Sequence, residues 1–104
     1  LTFIETRHFT RVVYVYLDEA SYRGLQKVLA AKPDEGAVVR GSGGVRKLRW
    51  ALPGRGKRGG VRVIYYVRAS QDQIWMLAIY AKSEESVIPA HILKQIREEI
   101  DDQG

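Results

Sequence analysis

The run "IWMLAIYA", residues 74–81, limits the possible folds more than any other stretch of this chain. Its β-branched and aromatic residues favour a strand. Almost none of it is polar, so it has no face to offer water and is expected at the centre of a sheet. "SQDQ" before it reads as a tight turn, and "VRVIYYVRA" before that as a second strong strand.

The remaining elements are placed around these two runs. "TFIE" is a short alternating run and reads as a first strand. From Thr6 the period changes: Phe9, Val12, Val13, Tyr16 and Leu17 recur at helical spacing. Asp18 is the expected N-cap of a second helix, with Tyr22, Leu25 and Leu29 on one face and an end near Lys32, because Pro33 disfavours helical geometry before it. "AVVR" and the alternating "VRKLRWAL" are further strands, separated by "GSGG" and followed by the glycine-rich connection "PGRGKRGG". Pro89 suits the first turn of a last helix, whose apolar stripe is Ile92, Leu93, Ile96 and Ile100. The order β-α-α-β-β-β-β-α predicts an α+β domain with a mostly antiparallel sheet. The helices are expected on one face, leaving the other partly open to carry the basic hairpin.

Charge then marks one part of the chain. The formal net charge is +5, from 17 Lys and Arg against 12 Asp and Glu. Nine of those cations, and no acid, lie between Arg40 and Arg68. A solvated surface ordinarily mixes signs, so this stretch predicts an anionic partner such as nucleic acid. Alternation along "VRKLRWAL" places Val45, Lys47, Arg49 and Ala51 on one strand face and Arg46, Leu48, Trp50 and Leu52 on the other.

Several chemistries are disfavoured. The chain has no cysteine, which removes disulfides and Cys-based metal or redox sites. His8 and His91 are far apart, each on a predicted helix, and are assigned surface or structural roles. No Ser-His-Asp motif is recognisable. "GRGKRGG" is not a phosphate-binding loop, because it lacks the Gly-x4-Gly-Lys-Ser/Thr spacing and a strand follows it. No apolar run approaches the roughly 18 residues of a membrane span, and "LTFIETRH" lacks the plan of a signal peptide.

Phosphate chemistry by side-chain cations remains. Lys and Arg neutralise phosphates, and Arg does so bidentately. In RNA the 2′-hydroxyl can attack the neighbouring phosphorus, so a protein needs only to align the chain, stabilise charge and move protons. A Lys and Arg cluster supports metal-free RNA cleavage; by itself it licenses only binding. Tyr65, Tyr66 and Tyr80 could stack on bases, but aromatics in strands, including Trp50 and Trp75, are assigned to the core by default.

"GSGGVRKLRWALPGRGKRGGVRVIYYV", then "IWMLAIYAKSE" and a C-terminal helix, closely resembles the HigB-type branch of the RelE/ParE toxin superfamily over residues 38–100. The resemblance implies a RelE-like fold in one domain over residues 1–104. That fold has a twisted, mostly antiparallel sheet of about four to five strands, an N-terminal helical hairpin and a C-terminal helix. It also implies a cytoplasmic toxin of a type II toxin–antitoxin pair that cleaves ribosome-bound mRNA and needs no cofactor. Its partner would be a HigA-like antitoxin with a helix-turn-helix domain, and operator DNA would be reached only through that complex. By the same resemblance Lys47 and Arg49 match a basic pair before the loop, and Arg62 matches the main transition-state arginine. Lys82 matches a basic position after the fourth strand. The family's second arginine position falls on Ser83 and its tyrosine position near Ile88, leaving Tyr80 as the candidate substitute. Arg46, Arg55, Lys57, Arg58 and Tyr80 are the expected RNA or ribosome grip. Two other readings stay open: a ParE-like gyrase inhibitor and a non-catalytic basic RNA-binding module.

Overall fold

The fold is seen in a computed structural model that describes residues 1–52, 60–84 and 88–103. Five strands form one sheet in the order β1-β5-β4-β3-β2: β1 Thr2–Glu5, β2 Ala37–Val38, β3 Arg46–Trp50, β4 Val61–Arg68 and β5 Gln73–Ala81. β1 pairs with β5 in parallel and the other pairs are antiparallel. The apolar run is therefore central, between β1 and β4, as expected.

Helix α1, Arg7–Tyr16, starts at Thr6, whose hydroxyl accepts a hydrogen bond from the Phe9 amide at 3.1 Å. Helix α2, Glu19–Ala31, starts at Asp18, whose carboxylate accepts from the Ser21 amide at 2.7 Å. Each cap satisfies an amide that the first helical turn leaves unpaired. Phe9, Val13, Tyr22, Leu25 and Leu29 of these helices pack on Leu48, Val61, Val63, Tyr65 and Met76 of the sheet.

The opposite face is also covered at one end. Helix α3, Ala90–Asp101, packs Leu93 and Ile100 on Val45, Ile64, Leu77 and Ala78. This corrects the expectation that all helices share one face. A strand apolar on both sides needs cover on both sides, and β5 receives it. Pro89 is the N-cap of α3, one position before its first turn, and Ile92 of the expected stripe is exposed.

A bulge decides which side chains reach the second face. The β4–β5 register shifts between Ile64/Ala78 and Tyr65/Met76, leaving Leu77 as an extra residue in β5. Leu77 and Ala78 both join the α3 core, whereas strict alternation would put them on opposite faces. The extra residue reverses the phase of everything after it. Tyr80 therefore packs with the α3 core, although Ile74 and Met76, an even number of residues before it, belong to the α1/α2 core.

Candidate functional site

The part of the second face that α3 leaves open is cationic. Arg49 of β3, Arg62 of β4 and Tyr80 of β5 are successive cross-strand partners and form one row. Lys47, Ile64 and Ala78 form another. The expected alternation thus holds for Lys47 and Arg49, and pairing adds Arg62 beside them. Directly opposed like charges destabilise a strand pair. Two arginines held opposite each other therefore create a place where an anion is stabilised.

Lys82 reaches the same place from beyond the strand. It opens a 3-10 turn, Lys82–Glu84, and its amide donates to the Gly60 carbonyl at 3.2 Å, tying it to the start of β4. Arg49, Arg62 and Lys82 line two adjoining clefts. One, of about 470 Å³, adds Lys47 and a wall of Ala37, Val38 and Val39. The other, of about 340 Å³, adds Trp50, Ala51 and Gly60. Gly60 is required by space: a β-carbon there would lie 3.0 Å from the Trp50 carbonyl oxygen. A smaller crevice of about 50 Å³ joins Lys47 to Ile64, Tyr80, Ile88 and Leu93. The Lys47 ammonium stands 6.0 Å from the Tyr80 ring centroid, within reach of the ring's negative face.

Among the described residues, Arg49, Arg62 and Lys82 form no ion pair. Arg62 makes only a long hydrogen bond, 3.4 Å, to the carbonyl of Val61. Their charge is therefore available to a bound anion.

Arg46 is not part of this group. It lies on the α1/α2 face, where its guanidinium donates to the carbonyls of Gly36 at 2.7 Å and Asp34 at 3.3 Å. Of the residues expected in the grip, Arg46 is thus set apart from the groove, and its donors hold the turn between α2 and β2. Arg68, at the other end of the basic run, is 8% exposed and donates to the carbonyls of Asp101 and Gln103 at the end of α3. Arg55, Lys57 and Arg58 lie outside the described residues. His8 and His91 are exposed. Ser83 is exposed in the 3-10 turn, and Ile88 lines the small crevice with Tyr80.

Sequence reasoning missed the apolar wall of Ala37, Val38 and Val39. "AVVR" was legible as a strand, but its position at the sheet edge, alongside the cations, comes from pairing with β3. It also missed the setting of the tyrosines. Burial raises the pKa of Tyr65, whose hydroxyl donates to the Pro33 carbonyl at 2.7 Å and accepts from the Gly36 amide at 2.8 Å. Burial, then the hydrogen bond to Asp101, raises that of Tyr66.

Fold and groove define a small α+β protein with a cationic sheet face beside its C-terminal helix. No protein-family model matches the chain. Among solved structures it is similar to a free-state variant of the E. coli toxin RelE in which two arginines are replaced by alanine, with a TM-score of 0.54 and 19% identity. The match covers 92% of this chain and 95% of that one. The chain has the RelE fold.

Proposed function

We propose that this protein is a toxin of a type II toxin–antitoxin pair that cleaves mRNA on the ribosome. The observation that carries the reading is the convergence of Lys47, Arg49, Arg62 and Lys82 from two strands and a turn onto one open groove. The RelE fold supports it, and the groove lies on the part of the second face that the C-terminal helix leaves uncovered.

The reaction needs no nucleophile from the protein. The RNA 2′-oxygen attacks the adjacent phosphorus and the bond from phosphorus to the 5′-oxygen breaks. One proton leaves the 2′-hydroxyl and one reaches the departing 5′-oxygen. The products are a 2′,3′-cyclic phosphate and a 5′-hydroxyl. Arg62, at the centre of the row, stabilises the negative charge that grows on the phosphoryl oxygens. Lys47 or Arg49 orients and activates the 2′-hydroxyl, and Lys82 holds the scissile phosphate. Tyr80 is the proton-transfer candidate. Its ring shares the small crevice with Ile88, where the family's tyrosine would stand, so a phenol absent at one position is supplied from another. The HigB-type assignment, a HigA-like antitoxin partner and a cytoplasmic location extend the same reading.

Mapping mRNA 5′ ends after brief induction tests it. Cuts phased to codons in translated regions are expected for the wild type. With Arg62→Ala they should fall by about 10²- to 10³-fold, the usual loss when one transition-state charge stabiliser is removed. DNA breaks with translation initially intact would instead identify a gyrase inhibitor. RNA binding without new ends would leave a binding module.

A further inference from the structure

Among the described residues, Glu84 is an acid close to the groove whose carboxylate is held by a residue of α1. Glu84 is two residues from Lys82 in the same 3-10 turn. Its carboxylate is gripped by Tyr16 at the end of α1: the phenol is 3.1 Å from Oε1 and 3.0 Å from Oε2. These groups are 68 residues apart in sequence, so only the fold joins them. A hydrogen bond to an ionised acceptor is about twice as strong as a neutral one. Burial, then the hydrogen bond and charge of Glu84, raise the Tyr16 pKa.

We propose that Tyr16 is a positioning residue that restrains the Glu84 carboxylate and so keeps the groove open to phosphate. The inference rests on the groove being the RNA site. Freed from Tyr16, Glu84 is an exposed acid on a flexible stem beside Lys82, with Arg62 and Arg49 in the same clefts. It then pairs with one of these cations and competes with RNA for it. The phenol thus guards the groove without touching substrate.

The argument predicts a signature that simple loss of structure would not produce. Neutralising one cation removes one phosphate contact. For a single strand that lowers the slope of log affinity against log salt by about 0.7, which amounts to about fivefold weaker binding at 0.1 M salt relative to 1 M. Fluorescently labelled single-stranded RNA is titrated at several salt concentrations with the full-length wild type, Tyr16→Phe, Glu84→Gln and the double variant. Thermal melts report whether each variant folds.

Tyr16→Phe is expected to weaken binding and flatten the salt dependence by these amounts. Glu84→Gln should bind like the wild type, because its amide oxygen still accepts from the phenol. The double variant should regain wild-type affinity, because the side chain released from Tyr16 is then a neutral amide that does not pair with the cations. A double variant as weak as Tyr16→Phe overturns the proposal and makes Tyr16 a purely structural support. So does Tyr16→Phe binding with unchanged slope. Wild-type RNA binding without cleavage on ribosomes would sink the nuclease reading while leaving the variant series decisive for Tyr16. If the wild type binds no RNA at all, both fall.

Discussion

The arginines of the basic run differ in what their donors meet. Arg46 donates to backbone carbonyls, and Arg68 to backbone carbonyls with the Asp101 carboxylate 3.8 Å from its Nε, whereas Arg49 and Arg62 have no acid beside them among the described residues. The two kinds should separate cleanly by experiment. Arg46→Ala leaves the Gly36 and Asp34 carbonyls without their donor, at a cost of about 1–3 kcal/mol of stability, with RNA affinity within twofold of wild type. Arg49→Ala should do the reverse: a stability change within about 0.5 kcal/mol and a salt slope shallower by about 0.7. Urea denaturation and salt-dependent RNA titration check the pair. Alternation alone set Arg46 apart from Lys47 and Arg49. The carbonyls that receive Arg46 were not legible, because they belong to a turn 10 and 12 residues earlier in the chain.

At the scale of elements, close approaches at turns and strand ends place the groove. Gly36 lies where α2 gives way to β2, and a β-carbon there would sit 2.9 Å from the Tyr65 phenol oxygen and 3.0 Å from the Lys47 carbonyl oxygen. Gly36→Ala therefore forces either the buried tyrosine or the β3 backbone to move. The expected loss is about 1–3 kcal/mol, typical of overpacking, measured as a lower urea midpoint at unchanged slope. The elements themselves were largely legible: the Asp18 N-cap, the central strand and the last helix follow from local signals. The bulge at Leu77 was not. Nothing in "IWMLAIYA" marks an extra residue, because an all-apolar strand shows no break in alternation when its phase slips. Yet that slip is what brings Tyr80 to the α3 side, next to Arg62.

Over the whole molecule, two helical layers clamp the sheet, and buried or half-buried tyrosines tie them to it. Tyr22 donates to Glu5 at 2.6 Å, Tyr65 bridges the α2–β2 turn, and Tyr66 donates to Asp101 of α3. Each has its pKa raised above the ordinary 10.0, chiefly by burial. In the unfolded chain they ionise near 10, so above that pH the unfolded state has released protons that the folded state keeps. Stability is therefore full below pH 10 and falls as pH rises toward the raised folded values. The expected slope is about 1.4 kcal/mol per pH unit for each such tyrosine. Denaturation between pH 9 and 11 measures it, and Tyr66→Phe should make the decline shallower. Asp101 ties α3 to the sheet by accepting from Tyr66, and within the helix it accepts from Arg97 at 3.0 Å. Asp101→Ala should cost about 1.5–3 kcal/mol, the usual range for hydrogen bonds to a charged group, read from chemical denaturation.

By itself the sequence determined the α+β class, the central strand and the shared face of Lys47 and Arg49. These follow from periodicity, capping and charge, which act between neighbours in the chain. The tertiary structure alone decided the rest. It set α3 against the second face, turned Arg46 and Arg68 into structural donors and carried Tyr80 across the sheet. It also joined Tyr16 to Glu84. Each of these depends on groups far apart in sequence that meet only when the sheet closes its register, and local pattern holds no record of such meetings.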